Sequence, residues 1–199
     1  CYNSGKGIAG VAPKVTLYGY SILGSSSDSV VTDSNKALMG FMEWKYALAN
    51  LITSNCKVIN VSMENRSDLD WQADVLGTFL NKLITKGYDF VIVQAAGNRS
   101  VDARKSGLFT GITIPAVKER IIIVGAIGNN GSHKNGLFGW FGDRVFDGYY
   151  YANFSNYGDR VDIVAPGVSI YSLVPNDKYE NQFTFSINKK DYQVSWDGT

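Results

Sequence analysis

The chain holds a single histidine, two cysteines and no apolar run long enough to cross a bilayer. Cys1 and Cys56 make no disulfide framework, and neither stands in a metal-ligand spacing. His133 has no partner near it in sequence. Cys56 reads as a small buried residue rather than a reactive thiol. Charge of one sign is not in excess: 19 Lys and Arg stand against 18 Asp and Glu, a formal net charge of +1. That balance gives no electrostatic case for nucleic acid or an anionic membrane as partner. No secretory signal peptide opens the sequence, and the start at Cys1 reads as the edge of a cut piece. Internal repeats and low-complexity tracts are lacking too.

What is present suits one globular domain with a sizeable core: 199 residues, 45% of them hydrophobic. The first half alternates strand and helix. Val15 to Leu23 reads as a strand, followed by a Ser-rich loop from Ser25 to Ser29. Asp33 or Ser34 can cap a helix reaching about Thr53, with Ala37, Phe41, Trp44, Leu48 and Leu51 at spacings of four and three. Lys57 to Ser62 is the next strand. A second helix begins at Asp68 or Asp70, with Trp71, Val75, Phe79 and Leu83 as its apolar face, and Gly87 ends it. Phe90–Ala95, Ile121–Ala126 and Val161–Ala165 complete the strand set. Strands separated by helices of this length predict right-handed crossovers and a parallel sheet with helices on both faces, an α/β domain.

Two segments break the rhythm. The stretch 129–151 is rich in glycine and aromatics, among them Phe138, Trp140, Phe141, Tyr149, Tyr150 and Tyr151. It reads as a long loop covering part of its own core, with a docking surface as the alternative. In the second, Phe183, Phe185 and Ile187 alternate with polar residues, a turn follows at 188–191, and Tyr192, Val194 and Trp196 alternate again. That pattern predicts a β-hairpin.

The most informative element is Val91-Ile92-Val93-Gln94-Ala95-Ala96-Gly97-Asn98. A short apolar run of this kind is a strand buried on both faces. The two alanines leave space beside the strand end, and Gly97 lets the chain turn. Asn98 then places a neutral donor at the carboxyl end of a central strand, where chemistry gathers in open α/β sheets. Taken alone, Asn98 could equally be a turn asparagine.

Other motifs carry less. Gly5-Lys6-Gly7-Ile8-Ala9-Gly10 has the spacing of a dinucleotide fingerprint, but only four residues precede it and Pro13 follows where a helix should grow. Asn65-Arg66-Ser67 and Asn153-Phe154-Ser155 match glycosylation triplets, a pattern short enough to arise by chance. Acidic residues are spread through loops with no paired-carboxylate spacing.

A longer series hangs together. In order it comprises Gly10-Val11-Ala12-Pro13 before Leu17-Tyr18, Val58-Ile59-Asn60-Val61-Ser62-Met63, Ala95-Ala96-Gly97-Asn98, Ile114-Pro115-Ala116 and Ile123-Val124-Gly125-Ala126. It closes with Asn153-Phe154-Ser155-Asn156-Tyr157-Gly158, Ala165-Pro166-Gly167-Val168-Ser169-Ile170 and Gly198-Thr199. The series resembles the subtilisin-like serine proteases (subtilases, peptidase family S8) in order and spacing from end to end.

That resemblance implies a three-layer subtilisin-like fold, incomplete at both ends, carried as one partial catalytic domain over 1–199 with insertions at about 129–151 and 177–196. It implies peptide-bond hydrolysis through an acyl-enzyme in the parent protein. In the family the triad runs Asp, His, Ser. By the same match, the chain begins after the histidine motif and ends one residue before the nucleophile, so residues 1–199 alone are expected to be inactive. His133 matches no triad position, and Ser155 and Ser169 lie in structural motifs. Asn98 matches the side-chain donor of the oxyanion hole, which stabilises charge gathering on the former carbonyl oxygen.

The resemblance also implies a pocket flanked by Ser62-Met63-Glu64 and Ala95-Ala96-Gly97, with Thr113 a further contact, and an edge from Leu23 through Gly24, Ser26 and Ser27 that pairs with an extended substrate. Glu64-Asn65 stands where the family usually has glycines, so Glu64 either favours a basic substrate residue or is a solvent-facing rim carboxylate. No cofactor is required; calcium sites are common in the family and no ligands are assigned. The implied partners are a peptide or protein substrate and the missing parts of the same domain, and family precedent points outward to secretion or the cell envelope. The competing reading is a non-catalytic subtilase-like module that binds peptides or a partner.

Overall fold

A computed structural model describes residues 10–20, 33–63, 70–105, 108–129, 144–146, 149–173, 193–196 and 198. Four parallel strands form the centre of its main sheet. β1 (Val58–Val61) pairs β2 (Val91–Ala95), β2 pairs β3 (Ile121–Asn129), and β3 pairs β6 (Ile163–Pro166). The sheet is mixed, because β5 (Tyr149–Tyr151) runs antiparallel to the end of β3 and β4 (Arg144–Phe146) runs antiparallel to β5. The aromatic stretch read as a loop thus supplies two sheet strands. A separate two-stranded antiparallel ribbon joins β7 (Ile170–Leu173) to β8 (Gln193–Trp196). β8 is the second arm of the predicted hairpin; the first arm, 183–187, lies outside the described residues.

Helix α1 spans Asp33–Thr53, as its periodicity predicts. It buries Phe41, Leu48 and Ile52 in one cluster with Ile59, Ile92, Ile121 and Ile123 of the strands. Helix α2 spans Asp70–Thr85. Its buried row is Ala73, Leu76, Leu80 and Leu83; of the predicted Trp71, Val75, Phe79 and Leu83, Leu83 is buried, Phe79 is half-buried, and Trp71 and Val75 are exposed. The helix carries two adjoining apolar stripes, and the outer one turns toward α1: Trp71 meets Phe41 edge to face at 5.4 Å, and Lys45 of α1 lies over the Phe79 ring. Burial of Leu76 and Leu80, both 0% exposed, is worth roughly 1.5–3 kcal/mol each. Gly87, at φ +88°, closes the helix in the left-handed conformation that costs glycine no Cβ clash. The short helix α3 (Pro115–Lys118) leads into β3 and buries Val117. Cys56 is half-buried and packs against the same cluster.

The predicted first strand differs. Residues 15–20 carry no strand and are exposed, with Leu17 86% accessible. They line an open groove of about 770 Å³ whose other wall is Leu51 and the 55–60 segment leading into β1. The groove lies between this stretch and β1, which is the last strand of the sheet on that side among the described residues. Residues 21–23 lie outside the described residues.

Candidate active site

Parallel strands bring their carboxyl ends to one rim of the sheet, and Ser62, Met63, Ala95, Ala96, Gly97 and Asn98 lie at or just past the ends of β1 and β2 there. β2 leaves the ladder at Ala96, whose N–H donates to the Val124 carbonyl at 2.9 Å. Gly97 follows, buried and at φ +106°, a conformation a side chain would resist. The turn it makes carries Asn98 into solvent at the strand end.

Across β3 from β2, Gly167 takes the equivalent rim position just past β6. Its N–H donates to Ile127 O at 2.9 Å, and its carbonyl accepts from Gly198 N at 2.7 Å. A Cβ at Gly167 would overlap the Gly198 carbonyl oxygen and stand 2.6 Å from Ala126 Cβ, so only glycine admits this approach. Gly198 in turn lies beside Asn98: a Cβ on Gly198 would be 3.4 Å from Asn98 Nδ2. Two motifs a hundred residues apart in sequence therefore meet on one rim, a neutral carboxamide donor against a close-packed glycine.

The wall of the site is tied together by Gln94. This buried side chain donates from Nε2 to the Met63 carbonyl at 2.6 Å and to Ala95 O at 2.9 Å. Together with the Val61–Gln94 register of β1 and β2, it brings Ser62 and Met63 beside Ala95, Ala96 and Gly97. Ser62 Oγ also accepts from Asn60 Nδ2 at 3.0 Å. Thr113 is exposed on a separate segment, between buried Ile112 and half-buried Ile114. Leu23, Gly24, Ser26, Ser27 and Glu64 lie outside the described residues.

Sequence reasoning missed the residues that hold this rim. Gln94 had a visible signal, a lone amide inside an otherwise apolar strand. Asn156 had none beyond its place in a six-residue motif, yet it is fully buried and bonds across to 96–101. β3 shows why these groups meet. Ile123 O and Ile127 O accept from Asp162 and Gly167 on the β6 side, while Val124 O and Ala126 O accept from Ala96 and Ala152 on the other. The 150–156 segment thus fills the edge of β3 that β2 vacates when it turns toward Asn98.

The described rim groups named above are neutral amides and backbone groups, and two charged pairs lie away from them. Hydrogen bonding and charge from Arg120 hold the Asp89 carboxyl below its ordinary value, at the opposite end of β2. Asp102 raises the Arg104 guanidinium by hydrogen bonding and charge in the loop beyond Asn98. Among the described residues no group of three or more His, Cys, Asp or Glu side chains is placed to hold a metal ion. Nor is any helix among them long and apolar enough to cross a membrane.

Comparison with known proteins supplies the wider context. The model of the subtilase family matches residues 1–199. Subtilisin DY of Bacillus licheniformis is 31% identical over 175 residues, covering 87% of this chain and 49% of the relative. A thermophilic serine proteinase of Bacillus sp. (strain AK1) is 31% identical over 177 residues, covering 89% of this chain and 34% of the relative. The chain thus spans half or less of the length of these relatives. Among solved structures, fervidolysin from Fervidobacterium pennivorans, described as a keratinolytic enzyme related to subtilisin, aligns over 80% of this chain and 20% of its own with a TM-score of 0.51 at 20% identity. That likeness concerns the fold: a mostly parallel sheet with helices, an incomplete three-layer α/β architecture of the subtilisin kind. With the family match running the whole length and the Asn98 and Gly198 motifs meeting at one rim, the chain belongs to the subtilase family.

Proposed function

We propose that residues 1–199 form the central part of the catalytic domain of a subtilisin-like serine endopeptidase, in which Asn98 donates to the oxyanion. The observation that carries this reading is the approach of Asn98 Nδ2 to Gly198, since by family match the nucleophile follows Gly198-Thr199. In the parent enzyme a serine attacks the substrate carbonyl with a histidine as general base, and negative charge develops on the carbonyl oxygen. A carboxamide aimed at that oxygen stabilises the transition state more than the ground state, and being neutral it does so without titrating. Ala95, Ala96 and Gly97 on one side and Ser62, Met63 and Glu64 on the other form the pocket walls, with Thr113 a further contact. Leu23, Gly24, Ser26 and Ser27 form the edge that pairs with an extended peptide. The chemistry needs no cofactor, and by family precedent the enzyme acts outside the cytoplasm.

The test is kinetic. In the parent enzyme Asn98→Ala should lower kcat by about 10²–10³-fold, the magnitude carried over from loss of this donor in subtilisin itself, with KM little changed. An unchanged kcat removes the oxyanion role. A serine-directed phosphonate should label the parent and leave residues 1–199 alone unlabelled; a parent that binds peptide but is never labelled is instead the non-catalytic module.

A further inference from the structure

The turn that presents Asn98 has left its sheet ladder and is tied to the 154–157 segment, by backbone bonds from Ser100 N–H to Phe154 O at 2.8 Å and from Tyr157 N–H to Val101 O at 3.0 Å and by the side chain of Asn156. Asn156 is 0% exposed. Its Oδ1 accepts from the N–H groups of Arg99 at 3.0 Å and Val101 at 3.2 Å. Its Nδ2 donates to the Ala96 carbonyl at 2.8 Å, and its backbone N–H donates to Gly97 O at 2.8 Å. The four partners bracket Asn98 on both sides. Asn156 is itself anchored: its carbonyl accepts from Tyr151 Oη at 2.6 Å and Ser155 Oγ at 3.1 Å. Ser155 Oγ accepts from Ala126 N at 3.0 Å. A continuous chain of hydrogen bonds therefore runs from the middle of β3 through Ser155 and Asn156 to the backbone around Asn98.

We infer that Asn156 is a positioning residue for the oxyanion donor, its carboxamide fixing the 96–101 turn so that Asn98 stands at the rim before substrate arrives. This rests on the oxyanion reading of Asn98. The chemistry requires asparagine at 156: two backbone N–H groups need an acceptor and one carbonyl needs a donor, all within reach of a single short side chain. A carboxylate keeps the two acceptor contacts and loses the donor, while serine is too short to span both. Alanine removes these bonds from three backbone groups, two of them part-buried and one buried, and lets the turn shift toward water. A shift of about 1 Å at a catalytic group can cost on the order of 10²-fold in rate.

The experiment is a double-mutant cycle in the parent enzyme, with kcat expressed per titrated active site and KM measured on one peptide substrate. Asn156→Ala should lower kcat by about 10–10²-fold and leave KM within about threefold. In the Asn98→Ala background the same change should cost less than about threefold, because the group it positions is gone. Asn156→Asp, retaining the acceptor, should lose less than Asn156→Ala, and it replaces that variant in the cycle should alanine fail to fold. A purely structural role would lower the melting temperature or the active fraction while kcat per site stays at the wild-type value, and that result overturns the inference. Equal kcat losses in both backgrounds overturn it too, with the oxyanion reading left standing. If Asn98→Ala alone leaves kcat unchanged, the oxyanion reading falls and the inference falls with it.

Discussion

Gly167→Ala puts the packing of the rim to the test. Gly167 is buried at the end of β6, and its backbone is not in the left-handed region, so the substitution acts through space alone. The new methyl would overlap the carbonyl oxygen of Gly198 and meet Ala126 Cβ at 2.6 Å. Neither neighbour is the far end of a flexible side chain, and Ala126 is 0% exposed within β3. Overpacking of this kind costs about 1–3 kcal/mol. If Gly198 retreats, its 2.7 Å hydrogen bond to Gly167 is lost, about 1 kcal/mol more. The sum, about 2–4 kcal/mol, corresponds to a fall in Tm of roughly 4–16 °C for a domain of this size. Gly19→Ala is the control, since a Cβ there meets nothing within 4 Å. Thermal unfolding followed by circular dichroism measures both. In the parent enzyme kcat should drop with the stability, because Gly198 moves off Asn98. A Gly167→Ala protein melting within about 1 °C of the Gly19→Ala control refutes the close packing on which the rim geometry depends.

Three further outcomes are expected. Gly125→Ala places a Cβ 2.7 Å from Tyr151 Oη and should destabilise by about 1–3 kcal/mol; adding Tyr151→Phe removes that oxygen and should recover part of the loss, and no recovery in urea melts would contradict the contact. Gly87→Ala has open space but φ +88°, so it should cost about 1 kcal/mol, and Gly87→Asn less, in the same melts. Asp89, lying 2.6 Å from Arg120, is held below the ordinary value of 3.8. As pH falls the unfolded chain therefore takes up the proton first, so the pair's contribution is complete above that value and vanishes as pH drops through the depressed folded one. The Tm difference between wild type and Asp89→Asn should be small, shrink with added salt, and close in that acid window; a gap unchanged at about pH 2 would contradict the pairing.

How much of this was legible depended on the range of the interactions. Helix α1 reads off the sequence because its 3.6-residue periodicity is local, and Gly87 marks the end of α2 for the same reason. The face of α2 does not read off, since two apolar stripes lie side by side and only the position of α1 decides which one meets the sheet. Val15–Leu23 has the composition of a strand, but a strand exists only through a partner, and across residues 15–20 a groove stands between this stretch and β1. The aromatic stretch gave no period-2 signal; β5 forms because β3 extends three residues past Ala126 and offers it an edge, and β4 then pairs β5.

The family series pointed to Asn98 from sequence alone, because a glycine turn after a buried strand, set in that order of motifs, is a local signature. The amides that position it were not legible. Gln94 reaches Met63 across 31 residues and Asn156 reaches Arg99 across 57, and nothing in the neighbourhood of either residue specifies its partner. By itself the sequence determined an α/β chain of the subtilase family and an asparagine at the end of its second strand. Only the tertiary structure decided what holds the backbone around that asparagine, because a turn that leaves its ladder must satisfy its backbone polar groups with whatever the fold brings alongside. Here the fold brings Asn156 to the edge of β3 that β2 has left, and Gly198 to the rim beside it.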